Sequence, residues 1–145
     1  MGQQQLLLLV LGIVIVGIAV VAGIQAFSEG KERADRDAVV SDAMRVISDV
    51  QAWKLKPSAF GGGADATGFE GVSFAKLGLP DSTGGMYQTS SGCIGLTAGD
   101  EAELDLRLRP AGVTCSESAP QFATVTVKGT RTSDIEWKYE GEDEN

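Results

Sequence analysis

From Leu6 to Phe27 the chain reads LLLLVLGIVIVGIAVVAGIQAF, with no charge and a single polar side chain, Gln25. At about 1.5 Å of rise per residue, this run makes a helix long enough to cross a bilayer core of about 30 Å. The pattern then changes without a break signal. Ser28–Asp37 reads SEGKERADRD, in which Glu29–Arg33, Glu32–Arg36 and Arg33–Asp37 have i,i+4 spacing. Gly30 is a soft point in this stretch, costing up to about 1 kcal/mol against alanine. Beyond it, Val39, Ala43, Val46, Val50 and Trp53 recur at 4-3-4-3 spacing, widened by Val40, Met44 and Ile47. That stripe predicts an amphipathic helix with one face for a core. Lys54 and Lys56 suit its C-terminal end and Pro57 stops it. The two patterns together predict one helix of about 50 residues, about 75–80 Å long.

Residues 58–92 are rich in Gly, Ser and Thr, with Gly61-Gly62-Gly63, Gly84-Gly85 and Ser90-Ser91-Gly92. Phe69, Val72, Phe74, Leu77 and Leu79 are spaced through this connection and would pin it to a core, with a short helical turn near Ser73–Leu77 and a turn at Pro80-Asp81. From Cys93 onward the period becomes two. Leu104, Leu106 and Leu108 alternate with Glu103, Asp105, Arg107 and Arg109. Ala123, Val125 and Val127 alternate with Thr124, Thr126 and Lys128, and Ile135, Trp137 and Tyr139 with Glu136, Lys138 and Glu140. With Cys93–Thr97 this predicts four strands, broken at Gly99-Asp100, Pro110-Ala111-Gly112 and Gly129-Thr130. The expected fold class is α+β: a long N-terminal α-helix packed on a small four-stranded antiparallel β-sheet, one face covered by the Val39–Trp53 stripe. The expected parts are an apolar helix half at 1–27, an amphipathic half at 28–56 and a head at 57–145, made of the glycine-rich loop and the sheet.

Charge sharpens this division. The net charge of −8 lies entirely beyond residue 56; residues 1–28 carry none and 29–56 balance. The acidic head, with Glu140, Glu142, Asp143 and Glu144 at its tail, disfavours non-specific contact with nucleic acid or anionic lipid. There are two cysteines, Cys93 and Cys115, and no histidine. Two cysteines in a small domain behind an apolar segment suggest one disulfide formed outside the cytoplasm, with two unpaired thiols as the alternative. A hairpin around Gly99-Asp100 would bring both to the same end of the sheet, where a bridge adds about 3 kcal/mol. Too few of the usual ligands remain for zinc.

The apolar run is longer than the core of a cleavable signal, and Met1-Gly-Gln-Gln-Gln supplies no basic front, so the segment is expected to be an anchor or an assembly element. Lys31, Arg33 and Arg36 follow it, which by the positive-inside rule would put the head in the cytoplasm, against the cysteine pair. A short basic leader removed ahead of Met1 would reconcile the two. Catalytic signatures are missing: no histidine, no G-x-S-x-G, no phosphate-binding glycine loop. Asp100, Glu101, Glu103 and Asp105 are dense enough to raise calcium, but Glu103 and Asp105 alternate with leucines, which favours a solvated strand face. The chain is therefore expected to be neither an enzyme nor a cofactor carrier.

A long helix, greasy and then amphipathic, followed by a glycine-rich loop, a small antiparallel sheet and a late cysteine pair, resembles a type IV pilin along the whole chain. Where pilins carry a glutamate before the first leucine of the apolar run, this chain has Gln5 before Leu6, and Gly12, Gly17 and Gly23 stand in a segment without proline. The resemblance implies leader removal and N-terminal methylation, an inner-membrane intermediate, and export by a pilus assembly machinery. It also implies a self-assembled helical homopolymer on the cell surface, serving adhesion, motility or DNA uptake. Met1 and Gln5 would set the register in the filament core, and Leu6, Leu9, Ile13, Val16, Val20, Ile24 and Phe27 would pack between copies. Cys93 and Cys115 would bound the C-terminal region. Two alternatives share these features: a minor pseudopilin of a secretion or DNA-uptake machine, and a membrane-tethered extracytoplasmic binding domain.

Overall fold

The computed structural model of the protein describes residues 2–80, 85–98 and 103–140. Helix α1 spans Gly2–Leu55 and is followed by a 3-10 turn at Ser58–Phe60. Five strands come next: β1 Met86–Gln88, β2 Gly92–Ala98, β3 Leu104–Pro110, β4 Ala123–Val127 and β5 Ile135–Tyr139, with a second 3-10 turn at Thr132–Asp134 before β5. The strands form one sheet in sequence order, every neighbouring pair antiparallel. The fold class is therefore α+β, a long N-terminal helix with an antiparallel sheet. The count of four strands is corrected to five. The extra strand, β1, has only three residues between glycine-rich stretches, too few to display an alternation. It exists because Met86, Tyr87 and Gln88 pair with Gly95, Ile94 and Cys93.

The chain divides into two compact units, residues 1–34 and 35–145. In the first unit the described residues, 2–34, form helix and all are exposed. In the second, Val39, Ala43, Val46, Ile47, Val50 and Trp53 of α1 are buried, reproducing the apolar stripe. All but Trp53 join Ile94, Leu104, Leu106, Leu108, Ala123, Val125 and Val127 of the sheet in one core. The register explains the match: Leu106 pairs with Leu96 on one side and Val125 on the other, so apolar side chains share a face across strands. Helix and sheet lie close together at Gly92, where an added Cβ would overlap the Arg109 carbonyl oxygen and lie 2.7 Å from Val39 Cγ2.

The glycine-rich connection is packed. Gly63 N–H donates to Trp53 O at 2.9 Å and Ala64 N–H to Lys56 O at 3.2 Å, so the chain folds back and satisfies carbonyls at the end of α1. Trp53 Nε1 donates to Gly61 O at 3.0 Å, and any side chain at Gly63 would collide with the Trp53 ring. Lys54 Nζ donates to Gly63 O and Ala66 O. Of the five apolar anchors, Phe69 and Phe74 are buried, and Val72, Leu77 and Leu79 pack against the core. Ser73–Leu77 is a helical turn in which Leu77 N–H donates to Ser73 O at 3.2 Å.

Candidate functional site

Two regions have properties beyond those of an ordinary small α+β head. The first is the apolar helix segment. Leu6, Leu9, Ile13, Val16, Val20, Ile24 and Phe27 are spaced by three or four residues and so share one helix face. All seven are exposed, from 55% at Val20 to 77% at Phe27. The opposite side is equally greasy, with Leu7, Leu8, Val14, Ile18 and Val21 exposed as well. By length and composition this is one helix long and apolar enough to cross a membrane. Gln5 is exposed in the first helical turns, while Met1 lies outside the described residues. Gly12, Gly17 and Gly23 have open space where a Cβ would sit. In the charged band that follows, Glu29 and Arg33 form the i,i+4 pair at 3.8 Å with both side chains largely exposed.

The second region lies on the sheet face turned away from α1. Alternation places Cys93 and Gly95 of β2, Asp105, Arg107 and Arg109 of β3, and Met86 and Gln88 of β1 on this outer face. The sequence pattern marks this side as solvated, and toward β4 and β5 it is polar: Thr126 Oγ1 donates to Asp105 Oδ1 at 2.7 Å, and Lys128 Nζ sits 3.0 Å from Glu136 and 3.7 Å from Glu103. Those contacts raise the Lys128 pKa, first through the hydrogen bond to Glu136 and then through the charge of Glu103. Among the described residues no group of three or more His, Cys, Asp or Glu side chains could hold a metal. Asp100 and Glu101, and the turn at Gly99-Asp100, lie outside the described residues, as do Asp81 and the tail residues Glu142, Asp143 and Glu144.

Toward β1 the outer face is enclosed. The connection from β3 to β4, residues 111–122, crosses it as a strap. Cys115 in the strap is bonded to Cys93, with a Cα–Cα distance of 5.8 Å. Arg109, 1% exposed, donates through Nε to Ala119 O and through Nη2 to Glu117 O, each at 3.1 Å. Its Nη1 lies 3.6 Å from Met86 Sδ. Gly95 makes room for the guanidinium, since a Cβ there would come within 3.2 Å of Nη1. Burial, assisted by Arg107, lowers the Arg109 pKa, and Glu117 pulls it back up. The strap then rejoins the sheet where Phe122 N–H donates to Leu108 O at 3.0 Å. The pairing of Cys93 with Cys115 is thus present, whereas the burial of Arg109 departs from its expected place on a solvated face. Strand alternation reports which face a side chain takes, and says nothing about a later segment folding over that face.

No known protein family, curated protein or solved structure matches this chain.

Proposed function

We propose that the protein is a repeating structural subunit of an extracellular filament of the type IV pilus kind, assembled by packing Leu6–Phe27 of each copy against other copies. One observation carries this reading: the apolar segment is exposed on every side, and the same helix continues into a buried stripe within a folded head. An amphipathic helix covers its apolar face within its own domain; a helix greasy all round needs apolar surroundings on all sides. In a bilayer that surface is already out of water, so helix-to-helix packing must supply the preference for the filament, and Gly12, Gly17 and Gly23 allow close backbone approach. Before assembly the segment would hold the subunit in the inner membrane, and a pilus assembly machinery would extract it.

Suitability of the same segment for crossing a membrane supports a second reading, a tethered extracytoplasmic domain that never polymerises. Electron microscopy of material sheared from the cell surface, combined with mass spectrometry of its N-terminus, separates the two. Fibres built of this chain, with a processed and methylated first residue, are the expected result. A monomer that stays in the membrane fraction and dissolves only in detergent, with an unprocessed start, would overturn it.

A further inference from the structure

Filament assembly makes no use of the enclosed layer under the strap, and its chemistry has a direction. Arg109 is buried, and the hydrogen bonds of its Nε and Nη2 go to main-chain carbonyls. Both carbonyls, Glu117 O and Ala119 O, belong to the strap. Closing the strap strips water from the guanidinium, and these two acceptors replace it; a strap closed over Arg109 in a shifted register would leave a buried charge without partners. Cys115 lies two residues before Glu117, and Cys93 is the cross-strand neighbour of Arg109. The seat that satisfies the guanidinium therefore carries Cys115 to Cys93. The two cysteine residues are not equally exposed: Cys93 is 2% exposed, while Cys115 is only half-buried.

We infer that Arg109 is a positioning residue that seats the strap before the disulfide exists, and so fixes the order in which the two cysteines are oxidised. Cys115 reacts first. Its thiolate attacks a small disulfide oxidant such as glutathione disulfide, forming a mixed disulfide and releasing one thiolate. The Cys93 thiol gives up its proton to solvent and attacks the Cys115 sulfur, releasing the second thiol. Two cysteine thiols lose two electrons, and one oxidant molecule becomes two thiols. With the sulfurs already adjacent, the second step is effectively intramolecular and outruns capture of Cys93 by oxidant.

The test uses the full-length chain in detergent micelles, with Cys115→Ser and Cys93→Ser variants that each leave one thiol. Rates of alkylation by iodoacetamide are compared with the same chain in urea. With the strap seated by Arg109 and no disulfide, Cys93 in the Cys115→Ser variant is expected to react at least about a hundredfold more slowly than when unfolded, as for a site reached only by opening. Cys115 in the Cys93→Ser variant should stay within about tenfold of its unfolded rate, since it is accessible in the seated strap. Equal rates at the two cysteines in the folded chain would overturn the inference. Adding Arg109→Met to Cys115→Ser should speed Cys93 alkylation at least about tenfold, the loss of two hydrogen bonds from a charged donor. That increase should be insensitive to low urea, because a strap opening exposes little surface. An unchanged rate, or an increase that follows urea in step with loss of the sheet's circular dichroism, would refute the role. If Arg109→Met does not fold, Arg109→Lys takes its place in the same measurement: it keeps the charge but not the fork that reaches both carbonyls, and an unchanged Cys93 rate there would refute the role.

Discussion

Within α1, residues 6–27 are far more apolar than residues 39–53, yet only the less apolar part is buried. Pattern decides this, more than amount. A 4-3-4-3 stripe makes one face, and one face can be matched by one side of a small sheet. A helix greasy all round has no such face and has to be enclosed by lipid or by other helices. Aspartate substitutions in the two parts give the largest expected contrast. Val50 is 0% exposed, and Val50→Asp would bury a carboxylate without a partner, costing more than about 4 kcal/mol and unfolding the head. Val16 is 62% exposed, so Val16→Asp should leave the head's stability within about 0.5 kcal/mol of wild type. On the proposed filament reading, the same change abolishes assembly, because every copy would bring a carboxylate into the apolar core. Urea unfolding followed by circular dichroism, together with microscopy of sheared material, checks both halves. Loss of head stability in Val16→Asp comparable to that in Val50→Asp would break the contrast.

A smaller effect sharpens the same comparison at single methyl groups. At Gly92 an alanine Cβ would strike the Arg109 carbonyl and crowd Val39, so Gly92→Ala should cost about 1–3 kcal/mol as the helix is pushed off the sheet. At Gly12 nothing lies within 4 Å of the same atom. Gly12→Ala should leave the head untouched and favour the helix by about 1 kcal/mol. On the proposed filament reading its effect is on assembly: if the glycines serve close backbone approach between copies, the added methyl group weakens that packing. Equal urea midpoints for Gly92→Ala and wild type would show that the helix and sheet are less tightly fitted than this geometry requires.

How far each feature was legible depended on whether it is local. The stripe from Val39 to Trp53 and the alternation of Leu104, Leu106 and Leu108 are periodicities of adjacent residues, and both stand in the fold as read. The three residues of β1 carry no period, so the strand depends on its partner: Tyr87 reaches the inner face because Ile94 does. The apolar anchors marked the glycine-rich connection as packed, but Gly61-Gly62-Gly63 has no period to show where: at Gly63 the absence of a side chain is what lets the chain lie on the Trp53 ring. Arg109 is the clearest gap in the candidate site. Its neighbours in sequence put it on the polar face, correctly, and only a segment up to ten residues later turns that face into an interior. The cysteines were the one signal of that closure, because a bond from Cys93 to Cys115 draws the chain that follows β3 back to β2.

The smallest effect separates the charges of the two regions. Arg33 and Glu29 make a pair on a helix surface, 81% and 71% exposed, whereas Lys128 lies between Glu136 and Glu103 across three strands. The pKa of Lys128 is raised in the folded state. A lysine whose pKa rises on folding contributes its stability in full below the unfolded value, about 10.4, and loses it as pH climbs through the folded value. The difference in urea midpoint between wild type and Lys128→Met should therefore be constant from about pH 7 to about pH 9 and shrink toward zero at higher pH. Added salt should shrink it as well. Arg33→Met, in the exposed helix segment outside the head, should leave the urea midpoint unchanged at every pH and salt concentration. If the Lys128→Met difference instead persisted above the lysine range, packing of the methylene stem would be responsible, and the contrast between an exposed helix pair and a cross-strand triad would vanish.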